Sequence, residues 1–106
     1  MHWYDKLYVG ESIQKGADRL RWKIEHRAGT IDIYLLTFPS NRENLLDIIP
    51  AVELMQKSYP RKELFVIGME RGRDNAMQMA ADILDEVYHE TGSFDVRSYI
   101  LSQEET

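Results

Sequence analysis

The sequence predicts a small three-layer α/β domain, and three observations point there. Two short runs rich in β-branched and aromatic residues, 31–38 and 64–68, are separated by a stretch long enough for a crossover helix, which is the spacing of a parallel βαβ unit. Both parities of the first run are largely apolar, with Ile31, Ile33 and Leu35 on one side and Tyr34, Leu36 and Phe38 on the other. A strand buried on both faces needs a layer above and a layer below. Helical periodicity before, between and after the two runs supplies those layers. The chain is therefore expected to form one domain over residues 1–106, in the order α-β-α-β-α-β, with three helices flanking a three-stranded, mainly parallel sheet.

Residues 1–11 contain Trp3, Tyr4, Leu7, Tyr8 and Val9, too much apolar surface for a free tail, and read as an aromatic arm or short strand lying on the domain. Ser12 is a plausible N-cap, its hydroxyl accepting from the exposed amides of a first helical turn, and Gly29 offers the left-handed residue that stops a helix over 12–28. Ile13, Ala17, Leu20 and Ile24 form the core-facing stripe of that helix. Trp22 projects from its other side, near Lys15, Arg19 and His26, where either the N-terminal arm or a second molecule must cover it.

After the first strand, Ser40 followed by Glu43 has the spacing of a capping box and predicts a second helix. Leu45, Ile48, Ile49, Val52 and Met55 keep helical phase, while Pro50 predicts a kink or restart that would turn Leu54 inward. A third helix over 74–91 buries Ala76, Met77, Ala80, Ile83, Leu84, Val87 and Tyr88, presents Gln78, Asp82, Asp85, Glu86 and His89 outward, and stops at Gly92. The alternation of Phe94, Val96, Ser98 and Ile100 reads as a third strand, although Asp95 would equally cap a short terminal helix. Residues 102–106 read as a frayed tail.

At 106 residues, 43% hydrophobic and 29% charged, the composition is that of a folded domain with a core of its own. With no cysteine, disulfide frameworks, thiolate metal sites and cysteine nucleophiles are excluded. No apolar run has the length of a membrane span, and residues 1–6 lack the form of a signal peptide, so the expectation is a cytoplasmic protein without membrane contact. A net charge of −5 disfavours nucleic acid as the main partner. Charge is nonetheless segregated. Residues 12–28 carry five basic side chains against two acids, and residues 74–106 carry eight acids against Arg97 alone.

Two candidate sites follow. In a parallel sheet both strand-to-helix loops open on one rim, which would gather Ser40, Asn41, Arg42, Arg71, Gly72 and Arg73 into a site for a phosphate or carboxylate. Neither loop carries a nucleotide-binding signature, and such residues also suit an ordinary solvent-facing turn. The second candidate is an interface of Trp3, Tyr4, Lys15, Arg19, Trp22 and Lys23, a basic stripe beside exposed aromatics that suits an acidic protein surface, a second copy of the chain or, as a further alternative, nucleic acid. His2, His26 and His89 are scattered without a convergent partner, so no metal, cofactor or general base is expected. The expected function is association of a non-catalytic domain with itself or another protein, the alternative being capture of a small anion at the loops.

Overall fold

The structure, a computed structural model, describes residues 1–41 and 43–104. In chain order its elements are β1 (His2–Val9), a 3₁₀ segment (Glu11–Gly16), α1 (Ala17–Glu25), β2 (Ile33–Thr37), β3 (Asp47–Pro50), a second 3₁₀ segment (Ala51–Met55), β4 (Phe65–Arg71), α2 (Arg73–Thr91) and α3 (Val96–Glu104). The strands form one four-stranded sheet in the order β1-β4-β2-β3. The two runs that are apolar on both parities, β2 and β4, take the inner positions, where both faces are covered.

The three layers are present. Ile33, Leu35, Val66 and Met69 pack on one face against Ile13, Ile24, Ala51 and Leu54, the layer of α1 and the two 3₁₀ segments. On the other face Leu36, Phe38 and Ile67 pack against Ala76, Ile83 and Val87 of α2 and Val96 and Ile100 of α3. The stripe read for α1 is the one that faces inward, and Leu54 turns into the core after Pro50.

Four features differ from the expectation. First, β2 and β4 are adjacent but antiparallel, with Ile33 opposite Arg71 and Leu36 opposite Gly68, and the parallel partner of β4 is β1, from the N-terminal arm. Second, the predicted helix after Ser40 is replaced by a turn and the edge strand β3, antiparallel to β2. Ser40 caps nothing. Its amide donates to the Asp47 carboxylate at 2.8 Å, and Asn41 Oδ1 accepts from the amides of Glu43 and Asn44. The residue before a proline is driven out of the helical region, so Ile49-Pro50 favours extended chain, and proline is tolerated on an edge strand.

Third, residues 96–104 are helical rather than a strand, because Asp95 caps them: its carboxylate accepts from the Ser98 amide at 3.1 Å and the Ser98 hydroxyl at 2.8 Å. These two bonds favour the charged form and hold the Asp95 carboxyl below its ordinary value. Fourth, α1 ends at Glu25, earlier than Gly29 suggests, because Arg27 takes the left-handed conformation (φ 55°) and the Ala28 amide donates back to the Lys23 carbonyl. Gly92 terminates α2 as read, at φ 76°.

The sheet's two outer strands are finished differently. The C-terminal end of α3 lies along β1, where Glu104 accepts from the Asp5 amide and meets His2, and the Gln103 carbonyl accepts from the Lys6 ammonium. β3 is four residues long and ends in Pro50, which has no amide to donate.

Candidate functional site

Antiparallel pairing sends the two loops expected to share a rim to opposite ends of the sheet. Ser40 and Asn41 follow the end of β2 and lie near the start of β4, whereas Arg71, Gly72 and Arg73 follow the end of β4, beside the start of β2. Arg42 lies outside the described residues. At the first end a cleft of about 800 Å³ opens between Phe38, Leu46, Tyr59, Phe65 and Leu101. Asp47 and Glu63 line it with Arg97, whose guanidinium sits 4.6 Å above the Phe38 ring, so its charge does not favour an anion. At the other end Arg73 borders a shallow apolar depression with Tyr34, Ile48, Pro50 and Met77.

Arg71 is fixed in place. Its guanidinium donates to the Ile31 carbonyl at 3.0 Å, and the neighbouring Gly72 amide donates to the Asp32 carbonyl at 2.8 Å. These bonds tie the segment entering β2, where Asp32 is left-handed (φ 58°), to the turn entering α2. Arg71 also lines a cleft of about 460 Å³ with Ser12 of the first 3₁₀ segment and Arg19 and Lys23 of α1. The loop arginine and the basic helix, read separately in the sequence, thus meet in space. Their separation along the chain left no local signal of it.

The aromatic half of the expected interface divides. Trp3 and Tyr4 are interior residues, one on each face of the sheet, and Trp3 lies beneath the Arg21 guanidinium at 4.9 Å; neither is available to a partner. Trp22 is 57% exposed on the outward side of α1, and the N-terminal strand does not cover it. Its ring stacks on His26 with centroids 4.2 Å apart and planes 17° from parallel, and the His26 ring is anchored by a 2.7 Å bond from Nδ1 to the Trp22 carbonyl. The four-residue spacing that brings these rings together was legible in the sequence. Lys15, Arg19 and Lys23 recur at four-residue spacing beside Trp22 in the sequence, and no ion pair engages them among the described residues. The end of α1 is held by Arg61, which donates to the carbonyls of Ile24 at 2.8 Å and Glu25 at 2.5 Å, satisfying acceptors that a helix terminus leaves open.

A second polar cluster joins the opposite layer. Glu86 of α2 accepts at one carboxylate oxygen from the hydroxyls of Tyr8 in β1, at 2.5 Å, and Tyr99 in α3, at 2.8 Å. Burial first, and then the bond to Glu86 and its charge, push the Tyr99 phenol up to about 12 and raise that of Tyr8 as well. Both phenols therefore stay protonated and serve as donors rather than bases. Because the folded chain holds these protons more tightly than an unfolded tyrosine of value 10.0, their contribution to stability is complete below pH 10 and is lost as pH rises toward about 12. Glu86→Gln keeps an acceptor oxygen and removes the charge. Its tyrosinate absorbance is expected to rise at lower pH than in the parent, and alkaline destabilisation across that window is expected to shrink. An unchanged titration curve would show that Glu86 does not hold the phenols.

Among the described residues, no group of three or more His, Asp or Glu side chains is placed to hold a metal ion, and no helix is long and apolar enough to cross a membrane. Three clusters described above bear on function: one exposed stacked tryptophan, the basic cleft of Arg19, Lys23 and Arg71, and one carboxylate that bridges two phenols. The chain matches no protein-family model, no curated protein and no solved structure.

Proposed function

We propose that the domain works by non-covalent association, using the outward face of α1 to bind an acidic protein surface. The observation that carries this reading is Trp22, a large aromatic that is more than half exposed yet already ordered by its stack on His26. A pre-ordered tryptophan with lysine and arginine beside it in sequence loses little conformational freedom on binding, and tryptophan and arginine are the residues that most often anchor interfaces. Lys15, Arg19 and Lys23 give the partner its sign.

The chain carries a matching surface of its own. Asp82, Asp85 and Glu90 are exposed on α2, which packs on the face of the sheet away from α1. A two-fold dimer through α1 would set basic residues against basic residues, whereas α1 of one copy against α2 of the next pairs opposite charges head to tail. Self-association of this kind is open-ended and weakens as salt screens it.

Sedimentation equilibrium at low and high salt tests the reading. The parent chain is expected to associate at low salt and dissociate as salt is added. Trp22→Ala is expected to weaken association by roughly thirtyfold, corresponding to the ~2 kcal/mol of a tryptophan anchor, while thermal stability stays within about 0.5 kcal/mol of the parent. A parent that is monomeric at high concentration and low salt, or a Trp22→Ala variant that associates like the parent, would overturn it.

A further inference from the structure

We infer that the cleft between α1 and the end of β4 binds the phosphate of a small phosphomonoester. Arg19 and Lys23 stand one helical turn apart on α1, and Arg71 reaches the same cleft from the strand on the other side. Among the described residues, these three cations and the Ser12 hydroxyl are the charged and hydroxyl groups lining it. The acids nearest in sequence, Glu11 and Asp18, do not reach it. In a chain of net charge −5, a cleft with three cations and no carboxylate concentrates positive potential against the molecule's overall sign.

The donors are also free to act. Among the described residues no ion pair engages Arg19, Lys23 or Arg71, and no hydrogen bond engages the Ser12 hydroxyl. Arg71 spends one N–H on the Ile31 carbonyl, which leaves further N–H groups of the guanidinium fork for a ligand. A dianionic phosphate takes charge-assisted bonds from arginine on two sides and from lysine as a point charge.

Size and lining narrow the class. About 460 Å³ exceeds what a bare phosphate fills and falls at the small end of the range for organic ligands. Leu20 and the largely buried Ile13 supply the aliphatic part of the lining, and at Gly16 the backbone is open to close approach. A phosphate on a compact body such as a pentose places its charge among the three cations and its carbon skeleton on Ile13 and Leu20.

This proposal does not depend on association through Trp22, although the two share Arg19 and Lys23. The experiment is therefore run in Trp22→Ala as well as in the parent. ¹⁵N-labelled protein is titrated with ribose 5-phosphate, inorganic phosphate and ribose, following backbone amide shifts. Ribose 5-phosphate is expected to give saturable shifts centred on Ser12, Gly16, Arg19, Lys23 and Arg71, in Trp22→Ala and equally in the parent at a dilution where it sediments as a monomer. Inorganic phosphate is expected to shift the same amides with lower affinity, and ribose to shift none.

Arg19→Gln and Lys23→Gln remove cations that make no ion pair among the described residues, so the fold is expected to persist. Each is expected to weaken ribose 5-phosphate binding by roughly tenfold, the loss of one charge-assisted contact. Arg71→Lys tests the fork against a point charge and is expected to fall between the parent and the glutamine variants. The proposal is overturned if ribose 5-phosphate produces no saturable shift, if the shifts centre elsewhere, or if Arg19→Gln and Lys23→Gln bind as the parent does. Tight binding of a phosphopeptide or of single-stranded nucleic acid, with ribose 5-phosphate inert, would also overturn it.

Discussion

Leu36→Ala is expected to destabilise the domain by about 3 kcal/mol, within the range of roughly 2–5 kcal/mol for emptying a well-packed leucine site. Leu36 is fully buried on inner strand β2, directly across from Gly68 of β4 and Ile48 of β3. Its neighbours in the α2-side core, Ile67, Ile83 and Val87, are themselves almost wholly enclosed, so few groups can move into the space. Gly68 opposite has no side chain to offer, and the nearest flexible atom above it is the Met79 sulfur, 3.0 Å from where a Gly68 side chain would begin. For a domain of this length the loss is a large part of a total of roughly 5–15 kcal/mol, and it lowers Tm by roughly 10–20 °C. Urea unfolding checks it: the midpoint falls while the slope is unchanged. A loss below about 1 kcal/mol would mean that Leu36 does not sit between two packed layers.

Gly72→Ala is expected to have the second largest effect, about 1–3 kcal/mol, and for a different reason. Gly72 has φ 82° and ψ 138°, a region that only glycine enters without strain. Space is not the difficulty, because an added methyl would meet nothing closer than Asn75 Nδ2 at 3.5 Å and Asp32 Oδ2 at 3.7 Å. Backbone relaxation would have to sacrifice the bond from the Gly72 amide to Asp32 or the one that the Gly72 carbonyl accepts from Ala76 at the start of α2. Gly16→Ala is the control. That site has φ −107° and no atom within 4 Å of an added methyl, so substitution is expected to be neutral or stabilising by up to about 1 kcal/mol. Equal effects at the two sites would remove the argument from backbone conformation.

How far the fold could be read from residues depends on which residues. The alternation of Ile33 and Leu35 with Tyr34 and Leu36 announces burial on both faces, and the structure places these side chains in two cores. The same alternation is silent about direction, because a strand buried on both sides packs equally well beside a parallel or an antiparallel neighbour. The direction of β2 is set by the hairpin to β3, and β3 was hidden. Leu45, Ile48, Ile49 and Val52 fit a helical period, while the constraint that Pro50 places on Ile49 favours extended chain. At residues 96–104 both readings were open in the pattern. Asp95 settles it by capping Ser98, a contact between residues three apart that alternation over four positions outweighs only when no cap is present.

The candidate site was legible to a lesser degree. Trp22 could be placed outside its own helix's apolar stripe from angle alone, and it is outside. The meeting of Arg71 with Arg19 and Lys23 had no such signal, since it depends on β4 ending beside α1, which is a property of strand order. Arg61 was likewise silent, because its work is to satisfy carbonyls of a helix far from it in the chain.

The treatment of the outer strands bears on how this chain behaves when crowded. A bare strand edge is a template on which another extended chain can register, the first step toward cross-β fibres. Here one border is already occupied by the end of α3, through Gln103 and Glu104, and the other is only four residues long and closes on an imino acid. Ordered polymerisation by backbone pairing is thereby obstructed in the native state, and contacts between folded copies are left to side chains on the helices.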